Sequence, residues 1–190
     1  MLHRGADLRD RARSGGATTN PRPYRDAAGI TEQALRFSAP APNMQVKITV
    51  TCAGVQAIET ATAAGVNVNA TVCFTVPRAP AVTGAVERGL QRREAAGGDV
   101  ALMSPVCRLM VGRLDDWIQA LVRSDSVVAD PGVEHWAGLA CMKRAYGIVR
   151  ERGYRSRLVA AAYRHHLHWS KLIGEEFHSY YSAERPSTTA

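Results

Sequence analysis

Lys47 stands between Val46 and Ile48 in the stretch Gln45-Val-Lys-Ile-Thr-Val-Thr51. A short β-branched run of this kind predicts a strand, and a lysine at its centre meets an unusual environment. Where both faces of a strand are covered, as in a parallel sheet, the amine is held away from bulk water. Burial disfavours the ammonium form and leaves a free amine able to attack a carbonyl carbon. The alternative is a solvated lysine on an edge strand or at a strand end. Period-two alternation puts Lys47, Thr49 and Thr51 on one polar face and Val46, Ile48 and Val50 on an apolar one. That division suits a barrel with an apolar outside packed on helices and a polar, functional interior.

The run Val66 to Thr75 repeats the pattern. Asn69, Thr71 and Thr75 share a face, with Cys73 between them, and offer amide and hydroxyl groups to the same interior. Threonine is common in strands for its β-propensity alone. Asparagine is not, and a buried Asn69 demands hydrogen-bond partners.

The elements that must position these residues alternate along the chain. After the Lys47 strand, Gly54 to Ala64 reads as a short helix closed by Gly65. Ala81 to Ala95 is a helix ending before Gly97-Gly98, and a third strand lies within Val100 to Val111. Asp115 to Arg123 reads as a helix with acidic residues in its first turn, where the helix dipole favours them. Leu139, Met142, Tyr146 and Val149 recur at helical spacing and make Trp136 to Arg152 the longest expected helix. Arg157 to Tyr163 is a fourth strand, followed by a short helix at Trp169 to Ile173. Upstream, Gly15 to Pro21 reads as a short strand entering a turn, and Ile30 to Phe37 as a helix. Such alternation is the signature of a parallel α/β fold.

The 190 residues are enough for one domain with a sizeable core, and 46% of them are apolar and 22% charged. No run approaches the length needed to cross a bilayer. The segment Met1 to Ser14 is Arg-rich but carries Asp7 and Asp10 and has no apolar core, so it reads as neither signal nor transit peptide. The expected compartment is therefore the cytoplasm, with no membrane partner. A net charge of +7 suits nucleic acid or acidic metabolites. The arginines are scattered and lack interleaved aromatics to stack bases, so nucleic acid is not the expected partner. Cys52, Cys73, Cys107 and Cys141 are far apart, form no CxxC pair, and read as buried free thiols.

Taken together, these stretches resemble the transaldolase family. Val46-Lys-Ile-x-Val-Thr51 is similar to the family's V-K-I-P-x-T strand, which carries a Schiff-base lysine. Gly65-Val-Asn-Val-Asn-Ala-Thr71 resembles its next strand, and Val111-Gly-Arg-Leu-Asp-Asp-Trp117 its V-G-R-x-x-D-W motif. Ala17-Thr-Thr-Asn-Pro21 and Leu158-Val-Ala-Ala-Ala-Tyr-Arg164 resemble motifs at its second and seventh strands. The resemblance implies that Lys47 forms an imine with a ketose phosphate and that Asn69 and Thr71 line the site. It also implies that Arg113 binds the substrate phosphate, with Arg164 as a second contact. The implied reaction transfers a dihydroxyacetone unit between sugar phosphates, as in the pentose phosphate pathway, and needs no cofactor.

The fold class expected is an incomplete TIM-type (β/α) barrel of parallel strands, lacking roughly the first, third and last. One domain covers residues 1–174 and a polar tail 175–190. A full barrel needs about 250 residues, and the segment between Pro21 and Lys47 is too short for the helix, strand and helix the family places there. The strands expected to carry a catalytic aspartate and glutamate are then missing. Thr49 replaces the proline two residues after Lys47, and Arg108 replaces a small or hydroxylated residue. A second reading is therefore an inactive relic that binds sugar phosphates or partners without turnover. Open strand edges point to a homo-oligomer.

Two other clusters invite chemistry. Arg164-His-His-Leu-His-Trp169 brings three imidazoles together but shows no acidic or cysteine partner nearby in sequence, so no metal is expected there. His165 or His168 is placed at the substrate mouth, since barrel function gathers at the C-terminal ends of strands. Asp115-Asp116 reads as helix capping rather than a catalytic dyad, and Arg88 to Arg93 as a solvated helix face.

Overall fold

The computed structural model describes residues 16–40 and 44–172. Asp7, Asp10, the boundary near residue 174 and the polar tail lie outside them.

In chain order the elements are β1 (Gly16–Thr18), α1 (Ala27–Ser38), β2 (Gln45–Thr49), α2 (Cys52–Ala63), β3 (Asn67–Cys73) and α3 (Arg78–Ala95). They continue with β4 (Val106–Met110), α4 (Val111–Ser124), a 3-10 turn (Val133–Trp136), α5 (Ala137–Glu151), β5 (Arg157–Ala161) and the one-turn α6 (Leu167–Ser170). The strands form one sheet in the order β1-β2-β3-β4-β5, and every neighbouring pair is parallel. A sequential order with right-handed crossovers places all the connecting helices on the same face. Accordingly α1 packs on α2, α2 on α3, α3 on α5 and α5 on α4.

Alternation along the strands then divides two environments. Val46, Ile48, Val68, Ala70, Cys107, Leu109, Leu158 and Ala160 point toward the helices and are buried. Each large aliphatic among them contributes roughly 1.5–3 kcal/mol by leaving water. Between α2 and α3 the approach is close because the contact is built from small residues. A Cβ at Gly89 would come within 2.6 Å of the Glu59 carbonyl oxygen. On the other face stand Gln45, Lys47, Thr49, Asn67, Thr71, Arg108 and Arg157, all half-buried, together with the buried Asn69.

Several boundaries differ from the sequence-based expectation for local reasons. Thr51 is not on the strand face: it is the N-cap of α2, with its hydroxyl accepting from the Gly54 N–H at 2.9 Å. Gly65 ends α2 at φ +93°, a conformation that costs glycine little. Strand β3 carries a bulge between Ala70 and Cys73, with Val72 at φ +64°. A β-branched residue there is strained by about 1–3 kcal/mol. The extra residue resets the alternation, so Cys73 turns to the helix side, fully buried, and Thr75 lies beyond the strand. The helix expected from Asp115 starts four residues earlier, at Val111, so neither aspartate is in its first turn. With 18 residues against 15, α3 is longer than α5, the helix expected to be longest. Cys52 is exposed, whereas Cys73, Cys107 and Cys141 are buried as expected.

Candidate functional site

On the face that the described helices leave uncovered, the parallel register sets Thr18, Lys47 and Asn69 side by side on β1, β2 and β3. The short strand β1 is pinned there by Thr19, whose N–H and hydroxyl both donate to the Lys47 carbonyl oxygen, at 3.1 and 3.2 Å. The Lys47 stem passes over Gly16, where an added Cβ would lie 3.8 Å from Cε. Lys47 is half-buried.

Asn69 is 3% exposed. Its Nδ2 donates to Gln45 Oε1 at 3.1 Å, and Gln45 Nε2 in turn donates to the Ser104 carbonyl at 3.2 Å. Its Oδ1 is buried and has no hydrogen-bond partner among the described residues. A buried acceptor left this way, on the strand next to that of Lys47, is an unfilled requirement, since buried polar atoms are normally satisfied. Thr71 pairs in register with Thr49, one row nearer the C-terminal ends of the strands. Of the residues the register brings together here, the sequence singled out Lys47, Asn69 and Thr71 but not Gln45, whose bond to Asn69 depends on cross-strand register.

Arg113 and Arg164 are brought together by Asp116, expected from the sequence as a helix cap. Asp116 on α4 takes Arg164 in a fork, with Nε 3.2 and 3.1 Å from its two oxygens and Nη2 3.0 Å from Oδ2. Arg113 Nη1 approaches the same Oδ2 at 3.4 Å. Both guanidiniums therefore sit just beyond the C-terminal ends of β4 and β5, where barrel-type folds collect function.

Asp115 overturns the capping expectation. It is 1% exposed, and its Oδ1 accepts the Gly138 N–H of α5 at 2.7 Å. Its Oδ2 meets His168 Nε2 at 2.6 Å and His165 Nε2 at 3.1 Å. The acidic partner that the histidine cluster lacked in sequence is thus supplied from α4, some fifty residues upstream. His168 is fully buried and does not border a mouth. Burial pushes its pKa down, against the hydrogen bond to Asp115 that raises it.

Asp115, His165 and His168 offer donor atoms within 4.8 Å of one another, close enough to hold a metal. The hydrogen bonds argue against one. His168 Nδ1 accepts the Arg164 backbone N–H at 3.1 Å, so in the neutral ring the proton is on Nε2, the atom facing Asp115. A protonated nitrogen has no lone pair for a metal, and metal-bound histidines usually donate from their second nitrogen rather than accept there. The triad is a buried hydrogen-bond hub joining α4, α5 and the segment after β5.

The Arg88–Arg93 face is a set of surface ion pairs, with Arg88 and Arg92 both on Glu59 at 2.8 and 3.4 Å. A depression of about 190 Å³ lies between α4 and the following loop, lined by Gln119, Arg123, Asp130 and Glu134. None of the residues singled out above lines it. Among the described residues no helix is long and apolar enough to cross a membrane.

Comparison with known proteins gives a consistent picture. The family profile described as Transaldolase/Fructose-6-phosphate aldolase matches residues 15–178. The transaldolase of Thiobacillus denitrificans is 34% identical over 128 residues, covering 66% of this chain and 36% of that protein. That of Mycolicibacterium smegmatis is 35% identical over 113 residues, 58% of this chain and 30% of the relative. That of Saccharopolyspora erythraea is 32% identical over 145 residues, 75% and 39%. The chain thus spans roughly a third of the length of the curated relatives it matches.

Proposed function

The chain belongs to the transaldolase/fructose-6-phosphate aldolase family, and on that premise we propose that its uncovered strand face is a Schiff-base site for sugar phosphates. In this reading the sheet is part of a (β/α) barrel in which β1 pairs directly with β2, without the strand that the family carries between them. In this reading the described residues belong to one domain.

Lys47 is the nucleophile. Its Nζ attacks the C2 carbonyl of a ketose phosphate, the carbonyl oxygen leaves as water, and a protonated imine remains. The C3–C4 bond then breaks, its electron pair moves into the imine to form an enamine, and an aldehyde departs. The enamine attacks a second aldehyde, whose oxygen takes up a proton, and water then hydrolyses the resulting imine, which frees Lys47 and completes transfer of a dihydroxyacetone unit. No organic cofactor or metal enters, because the imine is the electron sink. Asn69 Oδ1 accepts from the substrate's hydroxyls, Thr71 adds a hydroxyl, and the Arg113 and Arg164 guanidiniums hold the phosphate in exchange for part of their hold on Asp116. The observation that carries this reading is Asn69 Oδ1, unsatisfied among the described residues, in register with Lys47 on the face that the described helices leave free.

A second reading has its own observation. The five strands contain no aspartate or glutamate, so they supply no carboxylate to take the proton from the C4 hydroxyl. The chain then forms the imine without turning over and serves as a sugar-phosphate-binding module. The outer edges of β1 and β5, unpaired among the described residues, offer a route to self-association.

Borohydride trapping with fructose 6-phosphate, followed by peptide mass spectrometry, tests both. A reduced adduct on Lys47 with aldehyde release supports transfer, and an adduct without release supports the binding module. No adduct on folded protein rejects the Schiff-base site.

A further inference from the structure

Arg164 is held from two directions by neighbouring residues of α4. Gly112, Asp115 and Asp116 are three and four positions apart and so share one face of that helix. The face meets the turn after β5 closely: a Cβ on Gly112 would collide with the Ala162 carbonyl oxygen and lie 2.7 Å from Arg164 Cγ. Asp116 takes the guanidinium through Nε and Nη2, while Nη1 donates to the Ala162 and Tyr163 carbonyls, both at 3.3 Å. The main chain is held separately. Its N–H reaches His168 Nδ1 at 3.1 Å, and His168 Nε2 is fixed on Asp115 Oδ2 at 2.6 Å. The imidazole is thus a strut between α4 and the Arg164 backbone.

The turn needs such a strut. Ala162 stands at φ +59°, in the left-handed region that a residue with a Cβ disfavours. Such backbone persists only where its surroundings over-determine it. The His168 N–H donates to the His165 carbonyl at 3.2 Å, which folds the ring back over the turn. Only a ring with an unprotonated Nδ1 can accept the Arg164 N–H. Around the ring stand Asp115 of α4, His165 and Tyr163 with centroids at 3.8 and 6.2 Å, and the Arg164 guanidinium. His135 of the 3-10 turn, itself 3.9 Å from Glu134, lies against His165 at 4.6 Å. From α5 comes the Gly138 N–H, on Asp115 Oδ1. Burial in this setting favours the neutral imidazole.

Resting on the reading of Arg113 and Arg164 as the phosphate contacts, we propose that His168 is the positioning residue of that site. Its neutral imidazole, braced on Asp115, holds the Arg164 main chain in the turn from which the guanidinium exchanges Asp116 for phosphate. A proton on Nδ1 sets a donor against the Arg164 N–H and releases the strut.

The probe is sulfate, which keeps its double charge across the range, so a change with pH belongs to the protein. Its affinity for the full chain is measured by isothermal titration calorimetry from about pH 8 to about pH 5, with circular dichroism on the same samples. Positive charge gained by histidines as pH falls would by itself draw a dianion in more tightly. The strut predicts the opposite: binding weakens about fivefold, the equivalent of one neutral hydrogen bond, as Nδ1 takes up its proton. His168→Gln keeps an acceptor and a donor but has no proton to gain. It should bind at about pH 8 as the unmodified chain does and show no such fall. His168→Leu should bind about fivefold more weakly already at about pH 8. Affinity that rises steadily toward low pH in the unmodified chain overturns the proposal, and so does a folded His168→Leu that binds normally. Either result leaves the phosphate site standing. Sulfate binding that is absent from the unmodified chain, or that survives Arg113→Gln and Arg164→Gln together, overturns the phosphate site and the proposal with it.

Discussion

The two ends of the sheet treat their buried polar groups in opposite ways. Around Asp115 the polar atoms are wired to one another: the carboxylate serves Gly138, His165 and His168, and His168 in turn receives the Arg164 N–H. Around Lys47 the wiring stops short. Among the described residues Asn69 makes one side-chain bond, to Gln45, and its Oδ1 has no partner. A hub with charge-assisted bonds from several elements is a means of fixing those elements relative to each other. On the proposed reading, a face with a buried acceptor unfilled among the described residues is a means of holding something else. On the proposed reading, the contrast separates residues that support the site from residues that would meet the ligand.

The largest expected effect lies on the open face. Lys47→Ala should remove every trace of ketose adduct in borohydride trapping while leaving the far-UV circular dichroism unchanged; adduct formation in that variant would place the reactive amine elsewhere. The hub should behave in reverse. Asp115→Ala strands donors from three residues in a buried place and is expected to cost about 3–5 kcal/mol in urea unfolding. A loss below about 1 kcal/mol would show that the hub is not structural.

The hub also sets a pH dependence. The folded-state pKa of His168 is depressed by burial, so the unfolded chain binds more protons below the ordinary histidine value of about 6.5. Its stability contribution is complete above that value and is lost as pH falls, with a slope of up to about 1.4 kcal/mol per pH unit. His168→Gln should flatten the slope between about pH 6.5 and the lower folded value. An unchanged slope would assign it to another group. The smallest change expected in stability is at Asn69: Asn69→Ala removes one neutral hydrogen bond, about 1 kcal/mol, yet should sharply weaken ketose trapping. A cost comparable with that of Asp115→Ala would erase the distinction between the two regions.

Much of this was readable in the chain because it depends on local pattern. The β-branched run around Lys47 and the apolar alternation of Val46 and Ile48 predict β2 and its two faces, and both are observed. The small residues and Gly65 predict α2 and its end. What escaped depends on residues distant in sequence. The expectation that Asp115 caps its own helix failed because α4 starts at Val111, turning the side chain inward toward α5 and the two histidines. The bulge at Val72 reversed the facing of Cys73, and no composition signal marks it.

By itself, then, the sequence determined the strand and helix order, the polar face that holds Lys47, Asn69 and Thr71, and the family, since each rests on short-range spacing and residue type. Only the tertiary structure decided which side chains complete one another: Gln45 with Asn69, Asp116 with Arg113 and Arg164, Asp115 with His165 and His168. The physical reason is that a hydrogen bond is set by angstroms in space. Strand register and crossover geometry fix those distances between residues that the chain keeps as many as fifty positions apart.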